Sequence, residues 1–235
     1  MAESLNRNPS ENRILAHLSA EDFALLASRL TPTDLPLRKQ LEAINKPIEH
    51  VYFIEKGFAS VVANGHGRGV EVGLIGREGM TGLAVIMATD RSPHETYMQL
   101  AGAGQQMAAA HLSEMMDKSS TLRRALLNFG HTFLVQTAST ALANSRSKIE
   151  ERLARWLLMA SDRAGQGLNL THEFLAIMLG VRRPGVTIAM SFLEGRGLIH
   201  TQRRVISILD REGLEGAANG AYGAAEAEFS RLFGS

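Results

Sequence analysis

A change of sequence pattern at His111 is the feature that most constrains the fold. Before it, from Leu37 to about Met107, short stretches of alternating apolar residues such as GVEVGLI are separated by glycines, which is typical of antiparallel strands. After it, no proline occurs from Leu112 to Gln166, and apolar residues recur every three or four positions. The sequence therefore predicts an α+β chain, in which short N-terminal helices and an antiparallel β-roll precede a long helix.

One face of the predicted long helix is apolar. Its apolar positions are spaced four, three and four residues apart and comprise Leu122, Leu126, Phe129 and Phe133. Periodicity alone leaves two partners open for this face. It could pack on the protein's own β-roll or on a second copy of the chain.

The segment LTHEFLAIMLGVRRPGVTIAM predicts a helix-turn-helix. Thr171 is suited to cap the first helix, Gly180 directly follows its apolar stripe, and Pro184 fits the first turn of the second helix. The next segment, GRGLIHTQRRVISILD, predicts a β-hairpin with a polar tip at Thr201–Arg204. A helix-turn-helix followed by such a hairpin is a winged helix.

The second helix of this motif is predicted to present one face to DNA. Its buried stripe comprises Val186, Ala189, Met190 and Leu193. The exposed side chains that we assign to base reading are Arg183, Pro184, Thr187, Ile188 and Ser191. Those that we assign to phosphate contacts are Thr171, Arg182, Arg203 and Arg204.

The distribution of charge favours an anionic partner for this part of the chain. The net charge of +1 conceals a local balance of +4 from Arg146 to Gly213, with eleven Lys and Arg against seven Asp and Glu. Arg182 and Arg183 also stand where a helix begins, which is the end that the helix dipole makes positive. Two cations at that end are best explained by an anion, such as a phosphate, that lies opposite them. The alternative is a solvated arginine pair on a loop.

Taken in order, these segments resemble the Crp/Fnr family of bacterial transcription regulators. The resemblance is carried by PIEHVYFIEKG in the roll, the long helix, KIEERLARWLLMASDR before the helix-turn-helix, the helix-turn-helix itself, and DREGLE after the hairpin. It implies a cyclic-nucleotide-binding-like β-roll, a dimerisation helix and a winged helix. In this chain they correspond to residues 1–111, 112–145 and 146–213, and a C-terminal tail follows at 214–235.

The resemblance also implies a function. Family members bind palindromic DNA as homodimers and respond to a signal sensed in the roll, so double-stranded DNA, a second copy of the chain and RNA polymerase are the expected partners. It places the stripe of Leu122, Leu126, Phe129 and Phe133 in the dimer seam. It also implies a regulator and not an enzyme.

The residues of the expected effector pocket depart from the family pattern. Members that bind cyclic nucleotides carry a Gly-Glu pair and a later Arg followed by Ser or Thr. Here Gly82 is followed by Leu83, and Arg91 and Ser92 stand before Pro93 at a shorter spacing. We therefore expect that Gly82, Leu83, Arg91 and Ser92 do not bind a cyclic nucleotide in the usual way.

The second helix of the helix-turn-helix, which we call the reader helix, departs from the family pattern as well. Pro184 occupies the position of a base-reading glutamate in many members, and Ile188 occupies that of a second recognition arginine. Arg183 is retained. The sequence therefore predicts that the chain does not bind the family's best-known half-sites with normal affinity.

The composition excludes several kinds of bond, metal site and membrane segment. The chain has no cysteine, which excludes disulfides and cysteine-ligated iron–sulfur or zinc sites. His66, His94 and His111 are conceivable haem ligands, but isolated histidines in such loops are usually surface residues, so we predict no cofactor and no metal. No apolar run approaches the roughly 20 residues that span a bilayer, and the N-terminus lacks the apolar centre of a signal peptide. We expect a cytoplasmic protein without a membrane partner.

Two other classes of function compete with a DNA-binding regulator. The first is a ligand-binding signalling module whose helical half acts through a protein partner, but the charge distribution and the pair Arg182 and Arg183 favour DNA. The second is an enzyme. Glu78, Asp90 and Glu95 lie near histidines, but no nucleophile elbow, phosphate-binding loop or metal-ligand spacing accompanies them.

Overall fold

The computed structural model describes residues 10–65, 68–165 and 167–234. The predicted α+β architecture is confirmed. The helices are α1 (Arg13–His17), α2 (Ala20–Ala27), α3 (Leu83–Ile86), α4 (Ala109–Lys118), α5 (Ser120–Arg146), α6 (Ile149–Ala164), α7 (His172–Met178), α8 (Arg183–Gly195), α9 (Arg211–Ala217) and α10 (Ala224–Phe233). The strands are β1 (Thr31–Leu35), β2 (Gln40–Glu42), β3 (His50–Gly65), β4 (Arg68–Ile75), β5 (Glu95–Ala108), β6 (Leu168–Asn169), β7 (Ile199–Gln202) and β8 (Val205–Ile208).

The chain divides into two compact units. The first comprises Met1–Ala59, Ile75–Thr132 and Phe229–Ser235, and the second comprises Ser60–Leu74 and Phe133–Glu228. The long elements β3, β4 and α5 contribute residues to both units. The boundaries predicted at residues 111, 145 and 213 divide the chain into consecutive segments. Each of the two units, in contrast, combines segments that are distant in sequence.

The N-terminal sheet has the strand order β1-β5-β3-β4, and β2 also pairs with β5. Both β1 and β2 run antiparallel to β5. The glycines within β5 do not break the strand. A Cβ on Gly102 would collide with the carbonyl oxygen of Lys56, and one on Gly104 would collide with that of Phe53. Glycine therefore allows the backbone of β3 to approach β5 closely.

The helical segment after the roll contains a break that the sequence did not reveal. Helix α4 ends before Ser119 and α5 begins after it. The Ser119 hydroxyl accepts a hydrogen bond from the Leu122 N–H at 3.1 Å and donates one to the Asp22 carboxylate at 2.5 Å. Thr121 donates to the same carboxylate at 2.6 Å. Ser119 thus caps the start of α5.

The apolar stripe of α5 packs within its own chain. Leu122 and Leu126 have no exposed surface, and Phe129 exposes 3% and contacts Gly79 of the same unit. Phe133 is half-buried beside Gly73 in the second unit. The assignment of Leu122, Leu126 and Phe129 to a dimer seam is therefore wrong, because these side chains are already covered in a single chain. The large apolar side chains that α5 exposes are Leu127, Leu134 and Leu142.

The second unit contains the predicted winged helix. Helices α6, α7 and α8 are followed by the β7–β8 hairpin, in which Ile199 pairs with Ile208 and Gln202 with Val205. Strand β6 pairs antiparallel with β8 to complete a three-stranded sheet. Leu214 of α9 is fully buried, and α9 packs on α6.

The segment predicted as a tail is structured on both sides of Tyr222. The Tyr222 hydroxyl donates to Asp162 of α6 at 2.6 Å, and Arg155 Nε donates to the Ala221 carbonyl at 2.9 Å, so the chain up to Tyr222 is attached to α6. Further on, the Phe229 and Phe233 rings stack at 4.5 Å in the first unit. The guanidinium of Arg13 lies 4.5 Å from the centre of the Phe229 ring.

Among the described residues, no single helix is both long and apolar enough to cross a membrane. By length and composition alone, α7 and α8 would suffice together, although the pair is bent by 106°.

Candidate DNA-binding surface

The turn between α7 and α8 forms as the sequence predicts. The Thr171 hydroxyl accepts the Phe174 N–H at 3.2 Å and caps α7. Gly180 follows with φ +61°, a conformation that costs glycine little. Arg182 is the N-cap residue of α8, and Pro184 lies in the first turn of that helix. The bend of 106° between the two helices is typical of a helix-turn-helix.

Helix α8 separates an apolar and an exposed face in the predicted way. The buried residues are Val186, Ala189, Met190 and Leu193. The exposed residues include all five that we assign to base reading, namely Arg183, Pro184, Thr187, Ile188 and Ser191. Ile188 is 72% exposed, and Phe192, which we did not assign to the surface, is 46% exposed.

The first turn of α7 supplies two further side chains that sequence reasoning did not find. Glu173 Oε2 lies 3.8 Å from Nη1 of Arg183, and both side chains are mostly exposed, so this ion pair is weak. His172 Nδ1 lies 3.1 Å from the Thr187 hydroxyl, which also contacts the Arg183 carbonyl at 3.3 Å. Only the contact between two helices could reveal these partners, since each residue alone is an ordinary helix-start residue.

The tip of the hairpin presents the two wing arginines. Arg203 and Arg204 have φ angles of +51° and +71°, as in the tight two-residue turns that join antiparallel strands. Both side chains are exposed. The Arg204 carbonyl accepts the Leu170 N–H at 3.1 Å, and Glu194 Oε1 accepts the Thr201 N–H at 2.9 Å, which fixes the hairpin beside β6 and α8.

The residues of the expected effector pocket lie in the first unit. Gly82 has φ +86° and precedes α3, which Leu83 begins. The Gly82 N–H donates to the carboxylate of Glu42 at 2.6 Å, and Glu42 is 8% exposed. Burial raises the pKa of Glu42, while its hydrogen bonds from Gly82 and Thr96 act in the opposite direction. Glu42 is a residue that the sequence did not single out.

Arg91 and Ser92 are engaged at the surface. The Arg91 guanidinium donates to both oxygens of Asp90, at 2.9 and 2.8 Å, and both side chains are more than half exposed. This hydrogen-bonded partner lowers the pKa of Asp90. The Ser92 hydroxyl accepts the His94 N–H at 3.1 Å, which is a local turn contact.

A metal site in a protein requires a cluster of ligating side chains. No group of three or more His, Asp or Glu residues is placed to hold a metal ion in that part of the chain. His94 lies in the loop before β5, and His111 lies in α4. His66 lies outside the described residues.

Comparison with known proteins finds a Crp-like helix-turn-helix domain and several structures of the same fold. A family model of the Crp-like helix-turn-helix domain matches residues 151–217. FixK2 from Bradyrhizobium japonicum has a TM-score of 0.69 at 18% identity, covering 80% of this chain and 96% of that one. TTHB099, a CRP-family transcriptional regulator from Thermus thermophilus, has a TM-score of 0.67 at 18% identity, with coverages of 82% and 99%.

The c-di-GMP-responsive global regulator CLP of Xanthomonas campestris is also similar in structure. Its TM-score is 0.65 at 16% identity, with coverages of 81% and 99%. No curated protein sequence matches the chain. The fold and the exposed second helix define a winged-helix protein with a β-roll. The chain shares the fold of Crp/Fnr regulators and contains a Crp-like helix-turn-helix domain, in agreement with the resemblance seen in the sequence.

Proposed function

We propose that this chain is a transcription regulator that binds a palindromic operator as a homodimer. The observation that carries the proposal is the exposed face of α8, where Arg183, Thr187 and Ile188 follow a positive-φ glycine turn and stand clear of the buried stripe. The N-terminal part of such a helix enters the major groove. Arg182 and the wing arginines Arg203 and Arg204 then contact phosphates on either side.

A second copy of the chain is the proposed partner of the exposed side of α5. Leu127 and Leu134 are 44% and 62% exposed and stand seven residues apart, which places them on one side of the helix. Two such helices that pack together relate their reader helices by a two-fold axis. A two-fold protein requires a two-fold operator, so the half-sites are inverted repeats.

The effector of the proposed regulator is not a cyclic nucleotide bound in the usual way. The Gly82 N–H is engaged by the buried Glu42, and the Arg91 guanidinium is engaged by Asp90. We place the regulator in the cytoplasm with RNA polymerase as a further partner, and we assign it no catalytic role.

Selection from random duplexes with the purified full chain tests this function. We expect enrichment of a two-fold symmetric sequence that is unlike the family's best-known half-sites, and native mass spectrometry should show two chains on one duplex. Arg183→Ala should weaken binding to the enriched duplex. Arg77→Ala, which removes an exposed cation outside α5 and the winged helix, is the matched control and should leave binding unchanged. If no sequence is enriched and only salt-sensitive binding is seen, the regulator proposal fails and a protein partner becomes the better hypothesis.

A further inference from the structure

The centre of the exposed face of α8 is apolar. Ile188 exposes 72% of its surface and Phe192 exposes 46%, and the two residues are one helical turn apart. Helical side chains lean toward the N-terminus, so the Phe192 ring extends toward Ile188. The two therefore form one contiguous apolar surface, which water does not favour and which a ligand would cover.

Cations precede and follow this apolar surface on the chain. Arg182 and Arg183 precede it on the chain, and the Arg196 guanidinium lies 5.6 Å from the centre of the Phe192 ring. The wing adds the exposed Arg203 and Arg204. An apolar centre with positive charge around it complements a DNA groove, which has base edges at its floor and phosphates along both walls.

The polar groups near the apolar surface are few, and some are already engaged. The Thr187 hydroxyl contacts His172 Nδ1 and the Arg183 carbonyl, and Arg183 itself lies one turn or more before Ile188. Neither Ile188 nor Phe192 can donate or accept a hydrogen bond through its side chain. Ile188 and Phe192 therefore cannot recognise guanine, cytosine or adenine by their polar edges, which leaves such recognition to Arg183, Thr187 and Ser191.

One base offers an apolar group in the major groove, and that base is thymine, through its C5-methyl. We infer that each operator half-site carries thymine opposite Ile188 and Phe192, and that the protein reads these positions by contact with the thymine methyl. The inference rests on the proposed DNA-binding function and adds the base class that the reader helix selects. It makes Ile188 a specificity-determining residue.

Replacement of thymine by deoxyuracil tests this inference, because it removes the methyl group and leaves the Watson–Crick pairing intact. The probe is the duplex enriched by selection, with deoxyuracil at one thymine position of both half-sites at a time. We expect about a fourfold loss of affinity per half-site at one or two positions, the effect of burying one methylene-sized group. Uracil at the remaining thymines should have no effect.

Two variants identify the side chain that makes the contact. Ile188→Ala should lose most of the preference for thymine over uracil, whereas Arg183→Ala should weaken binding to both duplexes and preserve their ratio. Ile188→Val, which retains a branched apolar side chain, should retain most of the preference for thymine. Because Ile188 is exposed in the free chain, urea unfolding curves of these variants should match that of the wild type.

The possible failures are distinguishable. If selection enriches no duplex, the proposed function fails. If it enriches a duplex whose affinity is unchanged by uracil at every thymine, or one that lacks thymine in the half-sites, DNA binding stands and the methyl readout is overturned. An Ile188→Ala variant that keeps the full thymine preference likewise overturns the role of Ile188.

Discussion

The indole N–H of Trp156 donates a hydrogen bond to the carboxylate of Glu71, with 2.6 Å between Nε1 and Oε1. The second oxygen, Oε2, accepts the Ser60 hydroxyl at 2.5 Å. Glu71 lies on β4 and is 5% exposed, while Trp156 lies on α6, the first helix of the winged helix. Burial raises the pKa of Glu71 to about 7, although the hydrogen bonds from Ser60 and Trp156 and the charges of Arg155 and Arg163 lower it.

This buried carboxylate should make the stability of the chain depend on pH. The folded pKa of Glu71 lies above its ordinary value, so between about pH 4.5 and 7 the folded chain holds a proton that the unfolded chain releases. The free energy of unfolding should therefore fall as pH rises through this window, by up to about 3 kcal/mol. Urea unfolding between pH 5 and 8 measures it.

Glu71→Gln isolates that contribution, because glutamine resembles the protonated acid in shape and hydrogen bonding. The variant should match the wild type near pH 5 and be more stable than the wild type at pH 8. If the two proteins lose stability in parallel with rising pH, Glu71 is not the group that titrates in this window.

Substitutions at two leucines of α5 should affect different properties, namely the stability of the single chain and the association of two chains. Leu126 is fully buried in a single chain, so Leu126→Ala should cost about 2–5 kcal/mol of the free energy of unfolding. Leu134 is 62% exposed, so Leu134→Glu should leave each chain folded but place two charges in the proposed dimer contact.

Sedimentation equilibrium separates the two effects. The wild type and Leu126→Ala should have the dimer mass at low temperature, whereas Leu134→Glu should have the monomer mass with an unchanged circular-dichroism spectrum. A Leu134→Glu variant that retains the dimer mass would show that this side of α5 is not the contact.

The reader helix was predictable because its signals are local. A glycine at the end of one apolar stripe, a proline at the start of the next and a 3.6-residue period suffice to place Gly180, Pro184 and the buried stripe of α8. The exposed face then follows by subtraction. Ile188 was found in this way, and Phe192 was not, because an aromatic residue in a helix is ordinarily assumed to be buried.

The features that the sequence did not reveal depend on contacts between distant segments. The break at Ser119 requires Asp22, which is 97 residues away, and no proline marks it. Periodicity identified the apolar face of α5 but not its partner, which is the same chain. In GVEVGLI the apolar residues Val70, Val72 and Leu74 alternate with other residues, yet Glu71 and Gly73 between them are buried and Val70 and Val72 are half-buried. A charged residue at a buried position becomes visible only when its partners, Trp156 and Ser60, are placed beside it.

The wing arginines should contribute to affinity through phosphates alone. Arg203→Asn and Arg204→Asn each remove a cation, and asparagine tolerates the positive φ of both positions better than alanine. Each variant removes one phosphate contact from each chain of the proposed dimer, so it should reduce the slope of log affinity against log salt concentration by about 2 and leave the order of preference among duplexes unchanged. Binding measured at four or more salt concentrations gives the slope. An unchanged slope, or a changed sequence preference, would contradict phosphate contact at that residue.

The region around Gly82 should not bind cyclic nucleotides. Titration calorimetry with adenosine and guanosine 3′,5′-cyclic monophosphates should give no binding heat. Arg91→Ala should leave both stability and duplex affinity unchanged, since the guanidinium of Arg91 forms an exposed ion pair with Asp90. Unlike Arg91→Ala, Glu42→Ala should reduce the stability of the chain. It leaves the buried Gly82 N–H without its acceptor and should cost about 1–3 kcal/mol of the free energy of unfolding. Glu42→Gln retains an acceptor oxygen and should lose less. Saturable binding of either nucleotide that Arg91→Ala abolishes would show that Arg91 leaves Asp90 to hold a phosphate.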